Sequence, residues 1–140
     1  MRIGEITGLT WEDVIIDEQS IATNNARVII NKELSRVNAQ AMQKLKEKDI
    51  IKIFPTQKPH CITRLVLKTP KTETSNRTVW LPKTVAELLV QYQKDQKELQ
   101  EFLGDAYNNY NLVIALENGN PVESRIVRDR FQKLCEQNGY

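Results

Sequence analysis

Between Pro82 and Gly104 the apolar residues Val85, Leu88, Leu89, Tyr92, Leu99, Phe102 and Leu103 recur at spacings of three and four. That period gathers them on one face of a helix running from about Lys83 to Leu103. Pro82 suits its start and Gly104 its end. The chain before it is mostly β-branched and short in period. Residues 13–17 and 27–30 predict an antiparallel hairpin, with Glu18-Gln19-Ser20 and Asn24-Asn25 as turn-formers. Residues 61–67 and 77–81 predict two more strands, joined by the polar segment 68–76 as a lysine-bearing hairpin tip. Leu34, Val37, Ala41 and Leu45 return to helical spacing and predict a helix over 34–48, with Pro55 and Pro59 marking a loop after it. Further on, residues 112–116 predict a short strand and Asn118-Gly119-Asn120-Pro121 a turn. Ser124 is expected to cap a last helix with Ile126, Val127, Phe131, Leu134 and Cys135 on its apolar side. The expected class is α+β: mainly helical, with a small antiparallel sheet and a β-hairpin, in a single domain.

The chain has 140 residues, 40% hydrophobic and 27% charged, which is ordinary for a globular domain with one core. No apolar run approaches the roughly 20 residues that span a bilayer, and no basic-then-apolar leader is present. A cytoplasmic protein with no membrane partner is therefore expected. Cys61 and Cys135 stand apart from any metal-ligand spacing and fit reduced thiols. His60 is the single histidine, which excludes a multi-histidine metal site, and no cofactor is implied.

The net charge of +2 conceals an asymmetry. Residues 32–83 hold twelve Lys or Arg against four Asp or Glu, a net of +8. Residues 1–31 and 84–140 each carry −3. A basic middle between acidic ends suits a polyanionic partner, or equally a solvated lysine-rich face.

Two short segments carry the chemistry. In Arg2-Ile3-Gly4-Glu5-Ile6-Thr7-Gly8-Leu9-Thr10-Trp11, a helix would bring Arg2 and Glu5 within pairing reach at a spacing of three. Ile3, Ile6 and Leu9 would be buried, and Gly8 would stop the helix. The second segment is Lys71-Thr72-x-x-Ser75-x-Arg77-x-Val79-x-Leu81-Pro82. The first resembles the first arginine box of the tyrosine recombinase (phage integrase) family. The second resembles that family's β-hairpin box, in the form seen in mobile-element integrases of low-GC bacteria. The sequence from Pro82 to Leu89 and the Asn118–Pro121 turn are similar to the same group.

The resemblance implies a partial catalytic domain over residues 1–140, without the core-binding domain and without the His-x-x-Arg and nucleophilic tyrosine part. It implies DNA integration or recombination on double-stranded DNA, through a 3′-phosphotyrosine intermediate, by a parent that assembles as a homotetramer. By resemblance Arg2 is a catalytic phosphate clamp, since a guanidinium is a planar and permanent cation. Lys71 is the catalytic general acid for the leaving 5′-oxygen, with Lys68 as its alternative. Glu5 holds Arg2, and Lys68, Thr72, Ser75 and Arg77 contact DNA, Ser75 and Arg77 alternatively stabilising the hairpin. His60, Tyr107, Tyr110 and Tyr140 lack the surroundings of the remaining active-site groups, so a chain without a nucleophile is expected to be inert alone. The alternative function is a non-catalytic DNA-binding regulatory module.

Overall fold

The computed structural model describes residues 1–45, 49–56, 58–70, 72 and 75–140. Among them are five α-helices and six strands, in the order α1 (Ile3–Thr7), β1 (Val14–Ile15), α2 (Glu18–Ala22), β2 (Arg27–Ile30), β3 (Glu33–Asn38), α3 (Ala39–Lys44), β4 (Ile50–Ile53), β5 (Thr63–Lys68), β6 (Arg77–Trp80), α4 (Lys83–Leu103) and α5 (Ser124–Gln137). The α+β class stands, but the strands form two three-stranded antiparallel sheets, ordered β1-β2-β6 and β3-β5-β4. Only Asn31 and Lys32 separate β2 from β3, so one extended stretch changes sheets within two residues.

The expected hairpin of β1 and β2 forms, with Val14 opposite Val28. Its connection is not a plain turn. Asp17 accepts a hydrogen bond from the Ser20 amide at 2.9 Å and caps α2, as a short carboxylate does at a helix start. Asn24 then takes a positive φ of 55° to leave the helix, a conformation that Asn tolerates.

Two expectations fail for tertiary reasons. The described residues of 34–48 do not form one helix: the first part is β3 and Ala39–Lys44 are helical, while residues 46–48 lie outside the described residues. Six consecutive pairs, from Glu33 opposite Lys68 to Asn38 opposite Thr63, hold β3 on β5. Leu34 and Val37 are both buried although they lie on opposite sides of a strand, so a buried strand imitates helical spacing. Likewise, residues 61–67 and 77–81 contain strands, but these do not pair with each other. β5 lies between β3 and β4, and β6 lies on β2, with Arg27 opposite Trp80 and Ile30 opposite Arg77. β5 and β6 thus belong to different sheets and form no hairpin with each other. Residues 112–116 contribute only isolated bridges, of Thr10 with Leu112 and Ala115 with Pro121.

Three apolar clusters fill the interior. Leu9, Val28, Ile30 and Val113 pack under the first sheet; Leu34, Phe54, Leu67 and Leu112 under the second; Ile16, Ala26 and Ala86 beside α4. Leu112 and Val113 are consecutive yet join different clusters, Leu112 the second and Val113 the first, and so link them. Helix α4 spans the expected residues. Of its apolar face, however, only Leu89, Leu99 and Leu103 are even half-buried, while Val85, Leu88 and Phe102 stand in water. Trp11 reaches α4, its indole N–H donating to Gln96 at 2.5 Å. Helix α5 has no buried residue. No helix of the described residues is long and apolar enough to cross a membrane.

Gly8 does end α1, but with a φ of −92° it needs no left-handed conformation. Its constraint is space. A Cβ there would sit 2.7 Å from the Leu34 amide nitrogen and 2.9 Å from the Glu33 carbonyl carbon. At Gly4 it would sit 2.9 Å from the Leu34 carbonyl oxygen. Helix α1 therefore lies with its glycines against the backbone of β3. Gly8→Ala is expected to lower unfolding free energy by about 1–3 kcal/mol through overpacking, read as a lower urea midpoint at unchanged slope.

Candidate functional site

Because α1 lies flush on β3, Glu5 in its first turn points inward and is only 3% exposed. A buried carboxylate must be paired or lose its charge. Glu5 is paired twice. Its Oε2 accepts the Arg2 backbone N–H at 2.7 Å, closing the first turn of the helix. Its two oxygens accept the Arg77 guanidinium end-on, Oε1 from Nη1 at 3.0 Å and Oε2 from Nη2 at 2.6 Å. Arg77 Nη1 also donates to the Ser75 carbonyl at 3.1 Å. The partner of Glu5 is therefore Arg77, from 72 positions away, and not the Arg2 side chain three positions away. The hydrogen bonds from Arg77 hold the Glu5 carboxyl at about 2, against the opposing effect of burial, with the Arg2 amide and the charges of both arginines adding to the lowering. The same contact raises Arg77.

The expected site residues are placed as follows. Arg2 is exposed at the start of α1, and among the described residues its guanidinium joins no ion pair, leaving it open to an anion. Ser75 and exposed Thr72 share a hydroxyl–hydroxyl hydrogen bond of 2.8 Å, next to the backbone that Arg77 grips. Lys68 is different: it ends β5 only 5% exposed and its ammonium is bound to Glu33. A lysine expected to meet DNA is thus turned inward, because β3–β5 pairing sets Glu33 directly opposite it. Lys71 lies outside the described residues. Burial holds the phenols of Tyr92 and Tyr107 above their ordinary range, opposite to what a nucleophile needs.

A second polar cluster behind this site was not legible in the sequence. Lys32, in the two-residue link between the sheets, binds Asp13 and reaches Glu12 at 2.9 Å and Thr10 Oγ1 at 3.1 Å. Asn31 donates to the other Asp13 oxygen at 2.9 Å. Burial lowers the Lys32 ammonium, but the hydrogen bonds and charges of Asp13 and Glu12 outweigh it, and the net shift is upward. The only sequence signal was the Thr10–Asp13 spacing of three. Elsewhere, a cavity of about 690 Å³ opens between the second sheet and the start of α5. Arg36 and Glu123 close one side of it as a two-pronged ion pair, and Phe54, Leu65, Tyr110 and Leu116 line its floor. It includes none of the residues around Glu5. Among the described residues no group of His, Cys, Asp and Glu could hold a metal ion.

No protein-family model matches the chain, and no curated protein matches its sequence.

The lowered carboxyl of Glu5 makes the fold depend on acid in a defined sense. Its contribution is fully present above about pH 4.5, the ordinary carboxyl value, and fades as pH falls through about 2, its value in the fold. Glu5→Gln keeps the shape and removes the charge. Near neutral pH it is expected to cost about 2 kcal/mol of unfolding free energy. The gap from the parent chain should close progressively below pH 4.5, as urea unfolding across a pH series would read. A gap constant from pH 7 to pH 2.5 would refute the ionic role of Glu5.

Proposed function

We propose that this chain is part of the catalytic domain of a tyrosine recombinase, acting in the cytoplasm on double-stranded DNA. Two segments far apart in sequence, each resembling one box of that family, meet at one buried carboxylate: Glu5 of the first binds Arg77 of the second. That meeting is the observation behind the proposal. An isolated Arg-x-x-Glu or Lys-Thr-x-x-Ser-x-Arg would mean little; two that interlock through an ion pair are mutually explained.

In this reading Arg2 grips the non-bridging oxygens of the scissile phosphate, where charge develops as the phosphodiester is attacked. Lys71 delivers a proton to the leaving 5′-oxygen. Glu5 holds the helix start that carries Arg2, and Arg77 holds Glu5. Thr72 and Ser75 lie beside the DNA backbone. The nucleophilic tyrosine, which would form the 3′-phosphotyrosine, belongs to a longer parent working as a homotetramer without a cofactor. The cations Lys52, Lys58 and Arg64, on or after β4 and on β5, are exposed as well.

Binding to a short duplex across a salt series tests this. Log affinity should fall linearly with log salt, with a slope of about −4 if four or five phosphates are neutralised. Arg2→Ala should weaken binding about tenfold at low salt, as loss of a charged hydrogen-bonding clamp does. Folded protein that fails to bind duplex DNA at low salt would overturn the proposal. A second prediction concerns chemistry: incubation with nicked or intact duplex should give no covalent protein–DNA adduct on Tyr92, Tyr107, Tyr110 or Tyr140, as intact-mass spectrometry would read.

A further inference from the structure

Helices α4 and α5 both turn apolar side chains into water. On α4 the series Val85, Leu88, Tyr92, Leu99 and Phe102 keeps the alternation of three and four that makes a helix seam. Leu88 is 68% exposed and Phe102 86%. Asp95 takes the place in this series between Tyr92 and Leu99, with exposed Glu98 on its flank. At 100° per residue Lys94 and Lys97 fall on other sides of the helix, so the seam is acidic. On α5, Phe131 is 66% exposed and Leu134 57%. They share a face with Ile126 and Val127, and that face carries Arg130, with Lys133 beside it. This seam is basic.

We propose that two copies of this chain form a two-fold dimer in which α4 of each copy packs its seam on α5 of the other. Like seams do not suit one another: α4 on α4 would bring the acids of two copies together, and α5 on α5 would do the same with the bases. Only α4 on α5 of the second copy sets opposite charges across an apolar contact, and complementarity of this kind selects the partner. The spacing agrees. Asp95 and Glu98 are three residues apart, as are Arg130 and Lys133, so one alignment meets both acids with both bases. A two-fold axis repeats the contact, which is how two seams on helices of 21 and 14 residues can approach the roughly 1,200–2,000 Å² of a specific interface. The proposal rests on the exposed faces of α4 and α5 in this chain.

Sedimentation equilibrium of the whole chain at low salt, from micromolar to submillimolar concentration, tests it. A monomer–dimer equilibrium is expected. Asp95→Arg and Arg130→Asp, each at an exposed position that does not enter the core, should each raise the dimer Kd at least about tenfold. The chain carrying both changes should recover most of the lost affinity, because the swapped charges face each other again. A monomer throughout, an open-ended assembly, single variants with the parental Kd, or a double variant whose losses simply add would each overturn the proposal.

Discussion

A carboxylate that folding removes from water must find cations and donors, and in this chain Glu5 is that carboxylate. It is held by a guanidinium on β6 and an amide at the start of α1. The location matters as much as the bond. Helix α1 lies on β3, in the second sheet, with Gly4 and Gly8 admitting the β3 backbone to within van der Waals distance. Arg77 belongs to β6, in the first sheet. The Glu5–Arg77 pair therefore ties a helix seated on one sheet to the edge strand of the other, at the junction where β2 passes into β3. Glycines, carboxylate and guanidinium form one dependent set. Without the glycines the helix stands off, and Glu5 no longer reaches the strand.

The charge asymmetry of the sequence looks different once the chain is folded. Of the twelve cations in residues 32–83, exposed Lys83 lies 3.8 Å from Glu87, and Lys32, Arg36, Lys68 and Arg77 are each hydrogen-bonded to a carboxylate. Three of these four take their acid from outside that segment: Lys32 from Glu12 and Asp13, Arg36 from Glu123, Arg77 from Glu5. Part of the basic middle is thus answered by the acidic ends. What faces outward is a smaller set that includes Lys52, Lys58 and Arg64. A polyanion would meet that set, so composition alone overstated the field it would feel.

How far the sequence could be read follows from which signals were local. The β1–β2 hairpin and the long helix were legible because turn residues and a sustained period lie next to each other in the chain. The pair of boxes was legible as residues, but the Glu5 partner was misassigned to Arg2, since helical spacing sees only neighbours and Arg77 is 72 positions away. The strand β3 was hidden because both its sides are covered. Leu34 joins the second core while the β3 backbone lies under α1, and a strand buried on two sides does not alternate. The Lys32 cluster was hidden for the opposite reason: its parts are polar, and only the fold reveals that a lysine between two sheets has been buried with its acids.

The two arginines of the resembling boxes end in different states, and the difference bears on chemistry. Arg77 has both terminal nitrogens engaged, one of them twice, so its planar fork is already matched to a carboxylate. A phosphate approaching it would have to displace Glu5, stranding a charge in the interior at a cost of several kcal/mol. Arg2 offers the same fork, exposed, on a helix start whose amide is fixed by that same carboxylate. Arg77 is thus a structural counter-ion, while Arg2 is exposed, and Glu5 is bonded to the backbone of the second and the side chain of the first. Replacing Arg77 with lysine would keep the charge but not the two-pronged, end-on geometry. It would loosen Glu5, and with it the helix turn that carries Arg2.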